Sequence, residues 1–247
     1  VTTGAARWSP LPDVTNEPAW LHGRTVFTTV RTQGGAPLLW ASHVARLSAS
    51  CDALRLPDPT PTAGEVLRCL QPLPEGRLRL TVGASGAWFS HAPLARVSHA
   101  AVRVHVTDVQ VHPQFARHKT GNHLPYALAS AQAVDAGAFE GWLVDAAGNV
   151  VDGARSGLLL ETRDGYVVPS GGLPSVTRAA LLDELQLPVT ERRVHVSELG
   201  RVRRAWIMGS GVGVLPVASL SWAGGARDLD VSWFPVTHPA LIPPRRE

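Results

Sequence analysis

Lys119, in the stretch "RHKTGNHLPY", is the one lysine among 23 lysine and arginine positions. Arginine supplies charge, ion pairs and phosphate contacts at least as well as lysine. What it cannot readily do is lose a proton and attack a carbonyl carbon as a primary amine. A chain that uses arginine everywhere else and keeps lysine here points to amine chemistry. The competing explanation is a lysine left where arginine would have served. The chemistry is a Schiff base with an aldehyde cofactor, for which pyridoxal phosphate is the leading candidate.

Such a cofactor needs a cup for its phosphate, a carboxylate opposite its pyridine nitrogen and groups that orient the substrate. "LPSVTR" offers a cup: Ser175, Val176 and Thr177 open a helix, where unpaired N–H groups and the positive dipole end favour a dianion. "GSG" at 209–211 offers a second set of backbone and hydroxyl donors through Ser210. Each signal is common alone, and together with Lys119 they form a coherent site. The two cysteines, Cys51 and Cys69, have neither disulfide-framework nor metal-ligand spacing. Both fall at apolar helix positions and read as buried free thiols; no metal is expected.

The elements that must position these residues fall into two α+β halves, an N-terminal domain over 1–108 and a C-terminal, cofactor-binding domain over 109–247. "VFTTVRTQ" alternates as a strand, Gly34 and Gly35 make a hairpin turn, and "APLLWA" returns. Ser42 is the expected cap of a helix with Val44, Leu47, Cys51 and Leu54 on one face; Thr62 and Glu65 have capping-box spacing for a second. "RLRLTVGASGAWFSHAP" and "AAVRVHVTDV" read as further strands. Asn122 is the expected cap of a helix carrying Leu124, Ala127, Leu128, Ala131 and Val134 on one face, so Lys119 sits just before a helix. "GWLVDA", "NVVDGA", "SGLLLET" and "YVVPS" read as a four-strand meander. A helix follows from Ser175, and two strands then flank a glycine-rich bend.

Apolar residues at 45% and charged residues at 17% describe a globular chain, not a disordered one. There is no internal repeat or low-complexity tract. No apolar run approaches the roughly 20 residues of a membrane span, and no signal-like pattern opens the chain, so no membrane association and a cytoplasmic location are expected. Net charge is a modest +3. The cluster Arg201, Arg203 and Arg204, near Arg192 and Arg193, lacks interleaved aromatics and reads as a solvated or interface face, so no nucleic-acid partner is expected.

Taken in order, "HGRTVFTTVRTQGG", "HVARL", "HKTGNHL", "GNVVDGARSGLLL", "LPSVTR" and "GSGVGVLPV" resemble the class IV (fold-type IV) pyridoxal-phosphate enzymes. That family includes branched-chain aminotransferases, D-amino acid aminotransferases and aminodeoxychorismate lyases, and the resemblance runs from about Leu21 to Val217. It implies a two-domain α+β fold like that of the D-amino acid aminotransferases, with a smaller N-terminal α/β domain and a β-rich C-terminal domain with helices. It also implies an enzyme, lyase or transaminase, with pyridoxal 5'-phosphate as cofactor and a small-molecule amino substrate. A homodimer is implied too, because the family's active sites lie near the subunit interface.

Carried over residue by residue, the resemblance makes Lys119 the Schiff-base lysine and proton shuttle, and Arg46 the arginine that holds the phosphate. Val176 and Thr177 match the backbone amides of the phosphate turn, with Ser175 at its head, and Ser210 matches a hydroxyl residue at the same phosphate. Asp152 falls where the family has a glutamate facing the pyridine nitrogen. Phe27, Thr29 and Arg31 alternate along one strand and share the face that lines the substrate pocket. Read alone, Arg46 is also consistent with a solvated helix charge, and Asp152 with a turn carboxylate beside Gly153; His43 and His123 read as structural.

The departures are specific. Asp152 is one methylene shorter than glutamate; Ser175 stands for a glycine and Gly157 for an asparagine; Arg203 and Arg204 replace an acidic stretch. "VFTTVRTQGG" and "KTGNHL" look most like the lyases, which implies removal of pyruvate from 4-amino-4-deoxychorismate to give 4-aminobenzoate for folate. The alternatives are a branched-chain or D-amino acid aminotransferase, or a non-catalytic cofactor-binding or interaction protein of the same fold. Arginines of the lyase pattern are Val82 and Ala87 here, which removes a bidentate carboxylate contact. Arg31, Arg103 and Arg155 are the candidate replacements.

Overall fold

The computed structural model describes residues 18–244. After a one-turn helix α1 (Pro18–Leu21), the chain builds a four-stranded sheet from β1 (Thr25–Gln33), β2 (Ala36–Pro37), β3 (Glu75–Gly83) and β4 (Gly86–Pro93), in the order β2-β1-β3-β4. Helices α2 (Trp40–Ala53) and α3 (Thr60–Leu67) lie between β2 and β3. Strand alternation gives this sheet two characters. Val26, Val30, Leu78, Leu80 and Val82 meet Leu47 and Cys51 of α2 in a small core. The other face carries Phe27, Thr29 and Arg31, paired across to Thr81, Arg79 and Arg77.

The second sheet takes β5 (Val102–Gln110) and, after α4 (Pro113–Ala116) and α5 (Leu124–Asp135), the strands β6 (Glu140–Val144), β7 (Val150–Gly153), β8 (Gly157–Thr162) and β9 (Gly165–Pro169). Helix α6 (Val176–Leu185), β10 (Val189–Arg192), a short 3-10 helix (Val196–Arg201), β11 (Arg204–Gly209), β12 (Gly213–Trp222) and β13 (Gly225–Asp228) complete it. The order is β10-β9-β8-β11-β12-β5-β6-β7, with β13 on β12. A large core fills one side, including Trp142, Leu158, Ile207 and Leu215. Helix α6 closes a second core with Leu181 against Leu159, Trp206 and Met208. The fold is mixed α+β with prominent curled sheets.

Several expectations shift. The change of sheet falls between Pro93 and Val102, ahead of residue 108, because β5 finds its partners in β6 and β12 downstream. The expected meander is two hairpins, β6–β7 and β8–β9; β11, β12 and β5 come between β8 and β6 in the sheet. Helix α2 begins before Ser42, capped by Leu39 in a left-handed conformation (φ 54°) with no side-chain cap. Helix α3 starts at Thr60, whose N–H donates to Asp58 at 3.0 Å, so Thr62 and Glu65 lie inside it. The cap of α5 is His123, one residue past Asn122.

Cys51 is buried, but Cys69 lies beyond the end of α3, where the helical period no longer applies, and is exposed. The apolar face of α5 also turns outward: Leu124, Leu128 and Val134 are 65%, 49% and 67% exposed, while Ala129 and Ala133 are buried. The cause is a close approach to β6. A Cβ on Gly141 would fall 2.3 Å from the Ala129 carbonyl oxygen, so only small side chains fit this seam. Among the described residues, no helix is long and apolar enough to cross a membrane, and no cluster of His, Cys, Asp and Glu could hold a metal ion.

Candidate active site

Lys119 lies in the loop between α4 and α5, and that loop is fastened to β1. Strand β2 pairs with β1 only at Thr32 and Gln33, which leaves the edge at the start of β1 free. The loop takes it: Phe27 N–H donates to the Lys119 carbonyl (2.8 Å), Gly121 N–H donates to the Thr25 carbonyl (2.9 Å), and Val26 bridges Thr120. Gly121 has to be glycine, since a Cβ there would fall 2.3 Å from Thr25 Oγ1. His118 Nδ1 lies 3.1 Å from Ser50 Oγ, which ties the loop to α2 as well.

So held, the Lys119 amine stands 4.9 Å from the centroid of the Phe27 ring. It makes no ion pair among the described residues. Burial lowers its pKa to about 8; Arg46 and Arg79 push the same way, while Asp152 and Glu140 oppose them. A substantial fraction of this amine is therefore neutral near pH 8, as a nucleophile or base requires.

Residues from both halves meet in the cavity as a group that could hold an anion. On α2, Arg46 donates to the Pro174 carbonyl (3.0 Å) and to Thr28 Oγ1 (2.8 Å). The first contact docks α2 at the head of α6, where Ser175 is the N-cap and accepts from Arg178 N–H at 3.2 Å. Val176 and Thr177, the first two residues of α6, have no carbonyl four residues back within the helix for their N–H groups. His43 lies 3.0 Å from Thr28 Oγ1 through Nδ1 and 3.3 Å from Ser210 Oγ through Nε2. Burial, then Arg46, lowers its pKa to about 3, so the ring is neutral.

Proton directions in this chain follow from elementary inventory. A guanidinium only donates, so the fully buried Thr28 hydroxyl accepts from Arg46 and gives its own proton to His43 Nδ1. Nε2–H then donates to Ser210 Oγ, and the Ser210 proton is free to point into the cavity.

Asp152, the residue before the end of β7, lines the same cavity and is 5% exposed. Its two oxygens accept from Gly153 N–H (3.0 Å) and Leu173 N–H (3.2 Å). Burial raises its pKa to about 6; the Leu173 N–H, Lys119 and Arg178 restrain the rise. A buried carboxylate with no ion pair is poised to accept a proton or hydrogen bond from a ligand.

Lys119, Arg46, Asp152, Ser175, Val176, Thr177, Ser210, Phe27 and Thr29 all line one cavity of about 290 Å³. Arg31 does not. It is 4% exposed, its Nε and Nη2 donate to both oxygens of Glu75 (2.6 and 2.5 Å), and Nη1 donates to the carbonyls of Pro239 (3.2 Å) and Ile242 (2.5 Å). Period two put it on the right face, but Glu75 and the C-terminal segment claimed its donors. Arg103 is likewise outside the cavity lining. Residues not expected there include Arg77 and Arg79, whose alternation with Leu78 and Leu80 in "RLRL" marks the same sheet face. His43 and Tyr126 also line the cavity, and Tyr126 stacks on His123 with centroids 4.5 Å apart.

The lining suits a ligand that carries an anion, a protonated nitrogen and a carbonyl open to an amine. Comparison with known proteins bears on the same region. The sequence pattern of the family described as amino-transferase class IV matches residues 25–220. No curated protein matches the chain. A solved structure provisionally assigned as a 4-amino-4-deoxychorismate lyase is 40% identical, with 87% of this chain and 90% of that one covered at a TM-score of 0.75. The 4-amino-4-deoxychorismate lyase from Pseudomonas aeruginosa is 26% identical, with 93% and 92% covered at a TM-score of 0.79. A branched-chain aminotransferase from Thermoproteus uzoniensis, at 20% identity, 87% and 83% coverage and a TM-score of 0.74, shares the fold.

Proposed function

Since the chain belongs to the class IV aminotransferase family of pyridoxal-phosphate enzymes, we propose that it is a 4-amino-4-deoxychorismate lyase, releasing pyruvate and leaving 4-aminobenzoate for folate synthesis. The observation that carries the chemistry is the Lys119 amine, lowered in pKa and lining one cavity with Arg46, the head of α6 and Asp152. The lyase assignment is supported by the 40% identity to a protein provisionally given that activity and by the 26% identity to the Pseudomonas aeruginosa lyase.

The residues fit the cofactor. The cup offers Arg46, the N–H groups of Val176 and Thr177, and the Ser210 hydroxyl to a phosphate; Asp152, buried without a counter-ion, suits the protonated pyridine nitrogen. When bound, pyridoxal phosphate supplies a carbonyl carbon for amine exchange and a ring that withdraws electrons from the substrate nitrogen. Asp152 keeps that ring protonated from within β7. Lys119 Nζ removes the proton from the substrate carbon bearing the amine. The C–O bond to the enolpyruvyl group breaks as the six-membered ring becomes aromatic, and the departing enolpyruvate takes up a proton at its CH₂ carbon to become pyruvate. Phe27 and Thr29 floor the space the substrate ring enters.

Purified protein is expected to bind one cofactor per chain with visible absorbance and to release pyruvate and 4-aminobenzoate from 4-amino-4-deoxychorismate. Lys119→Ala loses both the absorbance and the release. Amino exchange dependent on a keto acid, with no pyruvate released, would make the protein a transaminase; failure to take up cofactor would make it a binding protein of this fold.

A further inference from the structure

A substrate for this site carries carboxylates, and the arginines of the lyase pattern are replaced by Val82 and Ala87. Of the three arginines that sequence alone offered instead, Arg31 is neutralised by Glu75 and Arg103 lies outside the cavity. Arg155 reaches the cavity lining, but its guanidinium donates to the Phe139 carbonyl and stands 5.0 Å from the Phe139 ring.

Arg79 is placed differently. On β3 it pairs in register with Thr29, beside Phe27, on the sheet face that floors the cavity. Its guanidinium carbon lies 3.6 Å from the Phe27 centroid, and the Lys119 amine stands 4.9 Å from the same centroid. One aromatic ring therefore positions both the amine and a cation. Arg79 has no carboxylate partner among the described residues, and its hydrogen bond from Nε to Thr81 Oγ1 is long at 3.4 Å. A guanidinium held over a ring face without a carboxylate partner retains N–H groups that can grip a carboxylate with two parallel hydrogen bonds.

We propose that Arg79 binds the substrate carboxylate nearest the reacting nitrogen and so supplies the contact that Val82 and Ala87 no longer can. This rests on the carboxylate-bearing substrate of the lyase reading, yet it concerns a different property, anion recognition at β3. Arg79 would be a binding residue that also keeps the local charge positive beside Lys119.

The test titrates cofactor-loaded protein by calorimetry with pyruvate and, as its uncharged counterpart, ethyl pyruvate. Wild-type protein is expected to bind pyruvate saturably. Arg79→Gln weakens pyruvate about tenfold, leaves the ester unchanged and keeps one cofactor per chain. Arg79→Lys restores part of the loss, because it returns the charge without the planar fork. Arg79→Met, which keeps an apolar stem over Phe27, gives the same answer if the glutamine variant fails to fold. Absence of saturable pyruvate binding, an affinity unchanged without Arg79, or an equal loss for acid and ester would overturn the assignment. If wild-type protein released no pyruvate from 4-amino-4-deoxychorismate while Arg79→Gln still lost carboxylate affinity, the lyase reading would fall and the role of Arg79 would stand.

Discussion

Asp152 shows what a single buried carboxylate does before a ligand arrives. Its pKa is raised from 3.8 to about 6, so between those values the folded chain holds the proton more tightly than the unfolded chain. Its contribution to stability therefore falls as pH rises through that window, by on the order of 3 kcal/mol. Asp152→Asn removes most of that slope. Urea unfolding of cofactor-free protein at pH 4.5 and pH 7 should show a smaller loss in the variant than in the wild type; equal losses would mean the carboxylate is not desolvated as described. The same residue illustrates a limit of sequence reading. "VVDGARSG" identifies a carboxylate at the right place, but only the fold shows Leu173 N–H arriving from 21 residues away to hold it.

Elements explain two departures that look unrelated in sequence. Gly157, where the family has asparagine, opens β8, and Ser175, where the family has glycine, caps α6. The two face each other: a Cβ on Gly157 would fall 2.7 Å from Ser175 Cβ and 2.8 Å from its hydroxyl. The side chain has moved from the strand to the helix cap. Gly157→Asn is expected to cost about 1–3 kcal/mol by overpacking and to weaken cofactor affinity by displacing the cup. Ser175→Gly in the same chain should recover part of both, at a cap cost of a few tenths of a kcal/mol. A double-mutant cycle followed by unfolding and by cofactor titration checks the coupling. Strand alternation and the Ser175 cap were legible because they depend on neighbours in sequence. The outward turn of α5 was not, because it is set by Gly141 on another element, and the loss of Arg31 was not, because Glu75 lies 44 residues away.

For the whole molecule, the apolar residues Leu124, Leu128 and Val134 exposed on α5 are consistent with a covered surface in solution. Light scattering is expected to give a homodimer, with the monomer mass as the contrary result. Within one chain, the two sheets are joined at the Lys119 loop and again where Arg46 meets Pro174 and His43 meets Ser210. Those last two contacts span 128 and 167 residues of sequence. A nascent chain still missing β11 and the turn after it has the amine and the α2 arginine but no closed cup. A truncated chain that ends before Ser210 is therefore expected to hold the cofactor less tightly than the full chain.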